Sequence, residues 1–419
     1  MQLIGMNELN NLVIPTGVAT TTPRMLDHSG VRSTGGSKAE FSIPCSNPGL
    51  HLDPSQTVLS FQINNNNTGP MTLDGGAHAI IQSINVFFGS VHISSIDEYG
   101  ALFALTQDFT TDLDSFRSSG TVRGVADFLP VAVATSANIK DAYYSRNGAT
   151  IAAGGSLMVA LPLMSVLGTL AMKALPLSQL QDSIKLEIKW ATQTNWGTFV
   201  DAASALSGCT VSDIKLHISQ VRLDGAVERA MMDSLGGIVH CPTLDYSHFR
   251  STVAPNAGFI SMQIPIRVSQ ACNIFVVLRE SAVTNGFSRK MISQRTKAGM
   301  IDYRFRVGAT VIPQTAIKCT GSAAEARFEL ARTFGSGVAD ASARSCISAE
   351  QFLTDGYAVG LSLQAFPQTN ALSDGISTRN MHVVFESKIS ASNPACYIDV
   401  WVQDEKLIVC QNGLMTYEA

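Results

Sequence analysis

The sequence predicts an all-β protein built as two tandem antiparallel sandwiches, and three features of its 419 residues carry that reading. Period-two alternation of apolar and polar residues recurs along most of the chain. A strand, a glycine turn, a strand and a short helix follow one another twice, around Gly89 and around Gly308, and one amphipathic helix interrupts the strands near the midpoint. Alternation gives each strand one buried face, and helices confined to connections argue for packed antiparallel sheets.

Residues 1–35 are rich in Asn, Thr, Gly and Ser, and Pro15 stops any early helix, so an N-terminal arm is expected there. Its scattered apolar residues (Leu3, Ile4, Leu12, Val13, Ile14) suit docking on a neighbouring surface. The first sandwich is expected over 36–224. Strands fall at 39–44 and 56–63, the second with Leu59, Phe61 and Ile63 on one face. Strands at 79–88 and 91–96 bend around Gly89, and a helix over 98–109 follows with Asp97 as its expected cap. A weakly patterned region runs to about residue 147, then a strand at 156–163 and a helical crossover at 166–173. Residues 183–190 alternate most strictly, with Ile184, Leu186, Ile188 and Trp190 against Lys185, Glu187 and Lys189. A long strand over 209–223 closes the half.

Residues 225–237 predict the connector helix. Leu223, Val227, Ala230, Met231 and Leu235 form its apolar stripe, Asp224, Glu228, Arg229 and Asp233 point away, and Gly236 and Gly237 end it. The second sandwich is expected over 238–419, with strands at 244–253, 258–269, 273–279, 356–366, 380–389, 395–402 and 405–410. Within it, Phe305-Arg-Val-Gly-Ala-Thr-Val-Ile312 repeats the shape of Val86-Phe-Phe-Gly-Ser-Val-His-Ile93, and a helix over 322–334 follows with Phe328, Leu330 and Ala331 as its apolar side. Each half therefore offers about eight strands, which fits an eight-stranded jelly roll of two Greek keys.

Charged residues are only 15% of the chain, against an average near 25%, so much of its surface is uncharged and suited to burial against neighbours. Residues 1–225 hold 12 Lys and Arg against 17 Asp and Glu, and 226–419 hold 17 against 16. With neither half basic, and Arg24, Arg32 and Lys38 balanced by Glu8, Asp27 and Glu40, no polybasic arm exists to neutralise nucleic-acid phosphates. Eight cysteines stand singly among apolar residues and are expected as free thiols. The start of the chain lacks a basic and apolar leader, and the longest apolar run, 157–163, contains Pro162 and is too short to cross a bilayer, so a soluble product made in the cytosol is expected.

Catalytic signatures are missing: there is no HExxH, GxSxG, GxxxxGK[ST] or GxGxxG after a strand. His240, Cys241 and His248 lie near one another without further ligands at metal spacing, so no metal and no cofactor are expected, and His92 and His217 sit within strands. A carbohydrate-binding or glycoside-cleaving jelly roll is the alternative, and it needs aromatic platforms and paired carboxylates. Its candidates are Trp190, Trp196 and Trp401, with the adjacent pairs Asp97 with Glu98 and Asp404 with Glu405, read as solvated residues at a helix start and in a hairpin.

The order of elements resembles the double jelly-roll major capsid proteins of tailless icosahedral DNA viruses. The resemblance rests on Gly75-Gly-Ala-His-Ala-Ile-Ile-Gln-Ser-Ile-Asn-Val-Phe-Phe-Gly89 running into Ile96-Asp-Glu-Tyr99, on Leu175-Pro-Leu177 leading into the 184–188 strand, and on the connector ending at Gly236 and Gly237. It implies a non-enzymatic structural protein of the virion, assembled in the host cell, whose homotrimers form pseudo-hexagonal capsomers that tile an icosahedral shell. It further implies minor capsid or penton proteins as partners, an internal membrane met by the arm, and no sequence-specific contact with nucleic acid.

Overall fold

The computed structural model describes residues 19–27, 35–111, 122–124, 147–164, 175–199, 208–281, 292–335, 345–347, 349–354, 356–364 and 375–418. The first half runs β1 (Ala19–Asp27), β2 (Lys38–Ile43), β3 (Leu50–Asn65), β4 (Met71–Asp74), β5 (Ile81–Phe88), β6 (Val91–Asp97), α1 (Tyr99–Thr110), β7 (Asn147–Ile151), β8 (Ser156–Pro162), β9 (Leu175–Pro176), β10 (Ile184–Trp190), β11 (Gly197–Phe199) and β12 (Cys209–Leu223). Helix α2 (Gly225–Ser234) leads to β13 (Ile238–Val253), β14 (Phe259–Ile264), β15 (Ala271–Glu280), β16 (Met300–Val307), β17 (Thr310–Lys318), α3 (Ala324–Thr333), α4 (Ala349–Thr354), β18 (Val359–Ser362), β19 (Val383–Ile389), β20 (Cys396–Gln411) and β21 (Leu414–Glu418).

Four sheets carry the fold: sheet I in the order β1-β12-β3-β8, sheet II β2-β10-β5-β6, sheet III β13-β20-β15-β18 and sheet IV β14-β19-β16-β17. If the eight principal strands of each half are counted in chain order, both halves read 1-8-3-6 and 2-7-4-5. That is the paired Greek-key order of a jelly roll, made twice. A small sheet, β11-β4-β7, is added to the first half.

Local chemistry explains why the halves match. Gly89 and Gly308 both take positive φ (54° and 60°), which lets β5–β6 and β16–β17 close as tight hairpins. Each hairpin leads to a helix, and both helices start from a left-handed N-cap residue without a side-chain cap, Glu98 at φ 51° and Ala323 at φ 49°. Asp97 is the last residue of β6 and does not cap α1; the left-handed turn at Glu98 replaces the side-chain cap that the sequence suggested.

Alternation delivers the core as expected. Leu59, Phe61 and Ile63 of β3, and Ile184, Leu186, Ile188 and Trp190 of β10, are fully buried, and Trp190 meets Phe61 edge-on at 5.2 Å. Buried apolar residues of both halves form one contiguous cluster. All eight cysteines are free, and all but Cys45 are buried.

Several expectations need correction. Residues 19–27, placed in the arm, form edge strand β1, which pairs with β12 from Ala19↔Leu223 to Asp27↔Lys215. An edge strand tolerates Pro23, which hid it in the sequence; residues 1–18 and 28–34 of the expected arm lie outside the described residues, as does the crossover expected at 166–173. Strands expected at 395–402 and 405–410 are one unbroken strand, β20. In α2 the expected faces hold for Leu223, Val227, Met231 and Leu235 against the exposed Asp224, Arg229 and Asp233, but Glu228 is buried, near His51, and Ala230 is exposed. In α3, Leu330 and Ala331 are buried as expected, but Phe328 is exposed.

Replacing Trp190 by Ala should remove about 3–5 kcal/mol of stability by leaving a cavity against Phe61. Lys189→Ala, on the exposed face of the same strand, should stay within about 0.5 kcal/mol. Urea midpoints of the two variants check this, and equal losses would contradict the assigned faces.

Candidate functional site

The densest polar chemistry in the described residues lies at the seam between the two sandwiches. It is built where the end of β6 and the start of α1 meet β13, β15 and β20. Glu98 accepts from Arg250 Nη2 at 2.8 Å and Arg279 Nη2 at 3.3 Å, and its other oxygen accepts from Gln82 Nε2 at 2.8 Å. Behind it, the fully buried Asp399 accepts from Arg279 Nε (2.8 Å) and Nη2 (2.5 Å), from Arg250 Nε (2.7 Å), and meets His248 Nε2 at 2.9 Å. Two carboxylates and two guanidiniums thus share one site. Burial alone would raise both carboxyls, but Arg279 and Arg250 outweigh it and hold Glu98 and Asp399 below the usual carboxylate range.

Three further contacts flank this cluster. Asp74, buried at the end of β4, accepts from the backbone N–H of Ile292 at 2.6 Å and of Ser293 at 3.2 Å, fixing the segment ahead of β16. Asp108 of α1 pairs with the buried Arg295, whose Nη2 also donates to Gly356 O at 3.2 Å. Phe109 stacks on Phe334 at 5.6 Å, and Phe334 meets Phe275 of β15 at 4.6 Å.

Lower on the seam, Ser94 Oγ of β6 donates to Asp245 Oδ1 at 2.6 Å, and Asp245 also pairs with Lys406. Asp245 and Asp404 are register partners on β13 and β20. Burial, reinforced by Asp245 and opposed by Lys406, pushes the Asp404 carboxyl up to about 7.

The sequence candidates are placed as follows. Asp97 uses its carbonyl to accept from Trp401 Nε1 at 3.3 Å, and Glu98 belongs to the ionic cluster. Asp404 lies inside β20, 2% exposed, and is not the solvated hairpin residue expected; its neighbour Glu405 sits mid-strand as well. Trp190, Trp196 and Trp401 are all fully buried, so none offers a face to a sugar ring. His248 turns to Asp399, His217 meets Ser60 Oγ at 2.7 Å, and His92 packs edge-on against Phe87. Among the described residues no group of three His, Cys, Asp or Glu is arranged to hold a metal. A groove of about 400 Å³ between β13 and β14 is lined by residues such as Phe249, Phe259, Met262 and Gln263, without a titratable side chain. The sequence missed Arg250, Arg279, Arg295, Asp108, Asp245 and Asp399. An Arg or Asp within an otherwise apolar strand, as in residues 271–280 and 396–402, is the signal that could have found several of them.

No protein-family model matches this chain, and no curated protein matches it by sequence. Solved structures do match its fold. The PBCV-1 VP54 structure fitted into a reconstruction of the virophage Sputnik aligns with a TM-score of 0.67 at 11% identity, over 96% of this chain and 97% of that one. The Faustovirus major capsid protein aligns at 0.65 and 8% identity, over 97% and 94%. A chain of the Sputnik virophage structure aligns at 0.56 and 12% identity, over 96% and 88%. The double jelly roll is therefore shared along nearly the full length of each.

Asp399→Asn breaks a buried charge cluster and should cost about 3–5 kcal/mol, whereas Glu386→Gln, which faces the exposed Arg304, should cost about 1 kcal/mol or less; denaturant titration distinguishes them. Asp404 has a raised native pKa, so the native state binds its proton between about pH 4 and 7, and its contribution to stability declines as pH rises through that window. Asp404→Asn should therefore melt progressively higher relative to the wild type from pH 5 to pH 8; a difference independent of pH would contradict this.

Proposed function

We propose that this chain is the structural subunit of an icosahedral viral shell, a major capsid protein that works by self-association and performs no catalytic step. The observation that carries the reading is the doubled strand order, 1-8-3-6 with 2-7-4-5 in each half, in a chain that aligns over nearly its whole length with proteins described as major capsid proteins. Identity of 8–12% conveys the fold only, so the functional step rests on physics as well as likeness.

That physics favours a building block. Two similar sandwiches, locked side by side by a buried ionic seam, give one rigid unit with near-repeated edges, and three such units close into a ring of six sandwiches. Such a ring is pseudo-hexagonal and tiles a curved lattice from a single gene product. A chain with only 15% charged residues suits the large, relatively apolar interfaces of obligate assemblies. The copies themselves are the main partner, minor or penton proteins fill lattice positions that this chain does not, and the N-terminal arm is the part suited to meet an inner surface such as a membrane. The location is the virion, and assembly takes place in the host cell.

Sedimentation equilibrium of the purified chain should give a mass of three chains or a larger closed particle. A monomer that persists at tens of micromolar would overturn the proposal.

A further inference from the structure

Strands β13 and β14 are edge strands of sheets III and IV, and the second sandwich is open between them. The groove of about 400 Å³ lies there, at the small end of the range for sites that hold a small ligand. Its floor is apolar, with Ile260 and Met262 buried. Its rim is polar and uncharged, carrying the hydroxyls of Ser251 and Ser261 and the side-chain amide of Gln263. Neither hydroxyl makes a hydrogen bond among the described residues. Gln263 Nε2 donates to His382 Nδ1 at 2.7 Å, which leaves its Oε1 as an acceptor. At the mouth, Phe259 is 51% exposed.

The groove is built rather than incidental. Its closed end is the turn from β13 to β14, and that turn is held from beneath by the buried Asn393. The Asn393 side chain donates to Ala254 O at 3.0 Å and accepts from Ala257 N at 2.8 Å, while its carbonyl accepts from Asn256 N at 3.0 Å. Positive φ at Asn256 (57°) and Gly258 (70°) turns the chain tightly over it. A site fixed in this way loses little freedom when a ligand enters.

Charge narrows the choice of ligand. No titratable side chain lines the groove, and the charged residues next to it on sheet IV are already paired. Lys388, the register partner of Phe259, meets Asp302 at 3.9 Å, and Glu386, the partner of Ser261, meets Arg304 at 2.8 Å. An ionic ligand gains nothing from such a lining, whereas an uncharged one with both apolar and hydroxyl surface matches it.

We propose that the groove binds a neutral sugar, the terminal hexose or N-acetylhexosamine of a glycan. A pyranose ring presents C–H groups on one face and hydroxyls around its edge. The C–H face packs on Phe259 and the apolar floor, and the ring hydroxyls pair with Ser251, Ser261 and Gln263 Oε1. The three buried tryptophans take no part. Binding is the whole of the activity, because glycoside cleavage needs a pair of carboxylates and the groove has none. The site stands on the groove alone. Its use for attachment to a glycan-coated surface rests on the shell-subunit reading, since a shell repeats the groove on every copy and multiplies a weak affinity.

Saturation-transfer NMR on the full chain tests the site, with the methyl glycosides of glucose, galactose, mannose and N-acetylglucosamine as probes and glucuronic and sialic acid as charged counterparts. At least one neutral glycoside should receive saturation, and the charged sugars should not. Phe259→Ala and Gln263→Ala, both at exposed positions, should keep the wild-type melting temperature and weaken that binding by about tenfold. Phe328→Ala removes an exposed phenylalanine elsewhere and should leave it unchanged. Saturation of none of the neutral glycosides, or equal binding by wild type and both groove variants, would overturn the assignment. A chain that binds sugar yet sediments as a monomer would keep the groove and overturn the shell-subunit reading; an assembled chain that ignores every sugar would do the reverse.

Discussion

The charge cluster of Glu98, Arg250, Arg279 and Asp399 is the constraint on which the arrangement of this molecule depends. Taking Asp399 and Arg279 out of water costs several kcal/mol for each, and their attraction to one another and to the partly exposed Glu98 and Arg250 repays that only in good geometry. The cluster is thus a weak source of net stability and a strong source of orientation. A small rotation of one sandwich against the other would lengthen the 2.8 and 3.3 Å contacts from Glu98 to Arg250 and Arg279, which alone in this cluster cross the seam, and strand buried charge. Asp74 on the Ile292 and Ser293 amides, and Asp108 on Arg295, repeat the device at two more points, each with a carboxylate from the first half meeting donors from the second.

That rigidity gives the duplicated fold its meaning. Two jelly rolls on a loose tether would present their edges at variable angles and could not define a lattice. Held by the seam, they keep one relative orientation, with the outer face of sheet III covered by β6 and α1.

Much of the fold was legible because period-two alternation reports a face buried by the strand's own sandwich. Ile184, Leu186, Ile188 and Trp190 announce β10, and the glycine hairpins at Gly89 and Gly308 announce the repeat. What the sequence concealed was decided by distant partners. Asp404 reads as a turn residue beside Glu405, yet β20 continues through it because β13 pairs along its whole length. Glu98 reads as a solvated helix start, and only the arrival of Arg279, 181 residues later, makes it part of a buried cluster. Strand β1 was hidden by Pro23 and a run of threonines, which an edge position tolerates. Phe328 looked like core for the opposite reason: an apolar residue on a helix gives no sign of whether a neighbouring element packs on it, and here it is exposed.

The central claim is that one internally locked pair of sandwiches is the repeating unit of a closed ring. Single-particle cryo-electron microscopy of the purified assembly tests it most directly. The account predicts three copies in a ring of six sandwiches, with the seam around Glu98 and Asp399 unchanged inside each copy. Particles in which copies pair face to face about a twofold axis, or in which the two sandwiches of one chain swing apart, would contradict it.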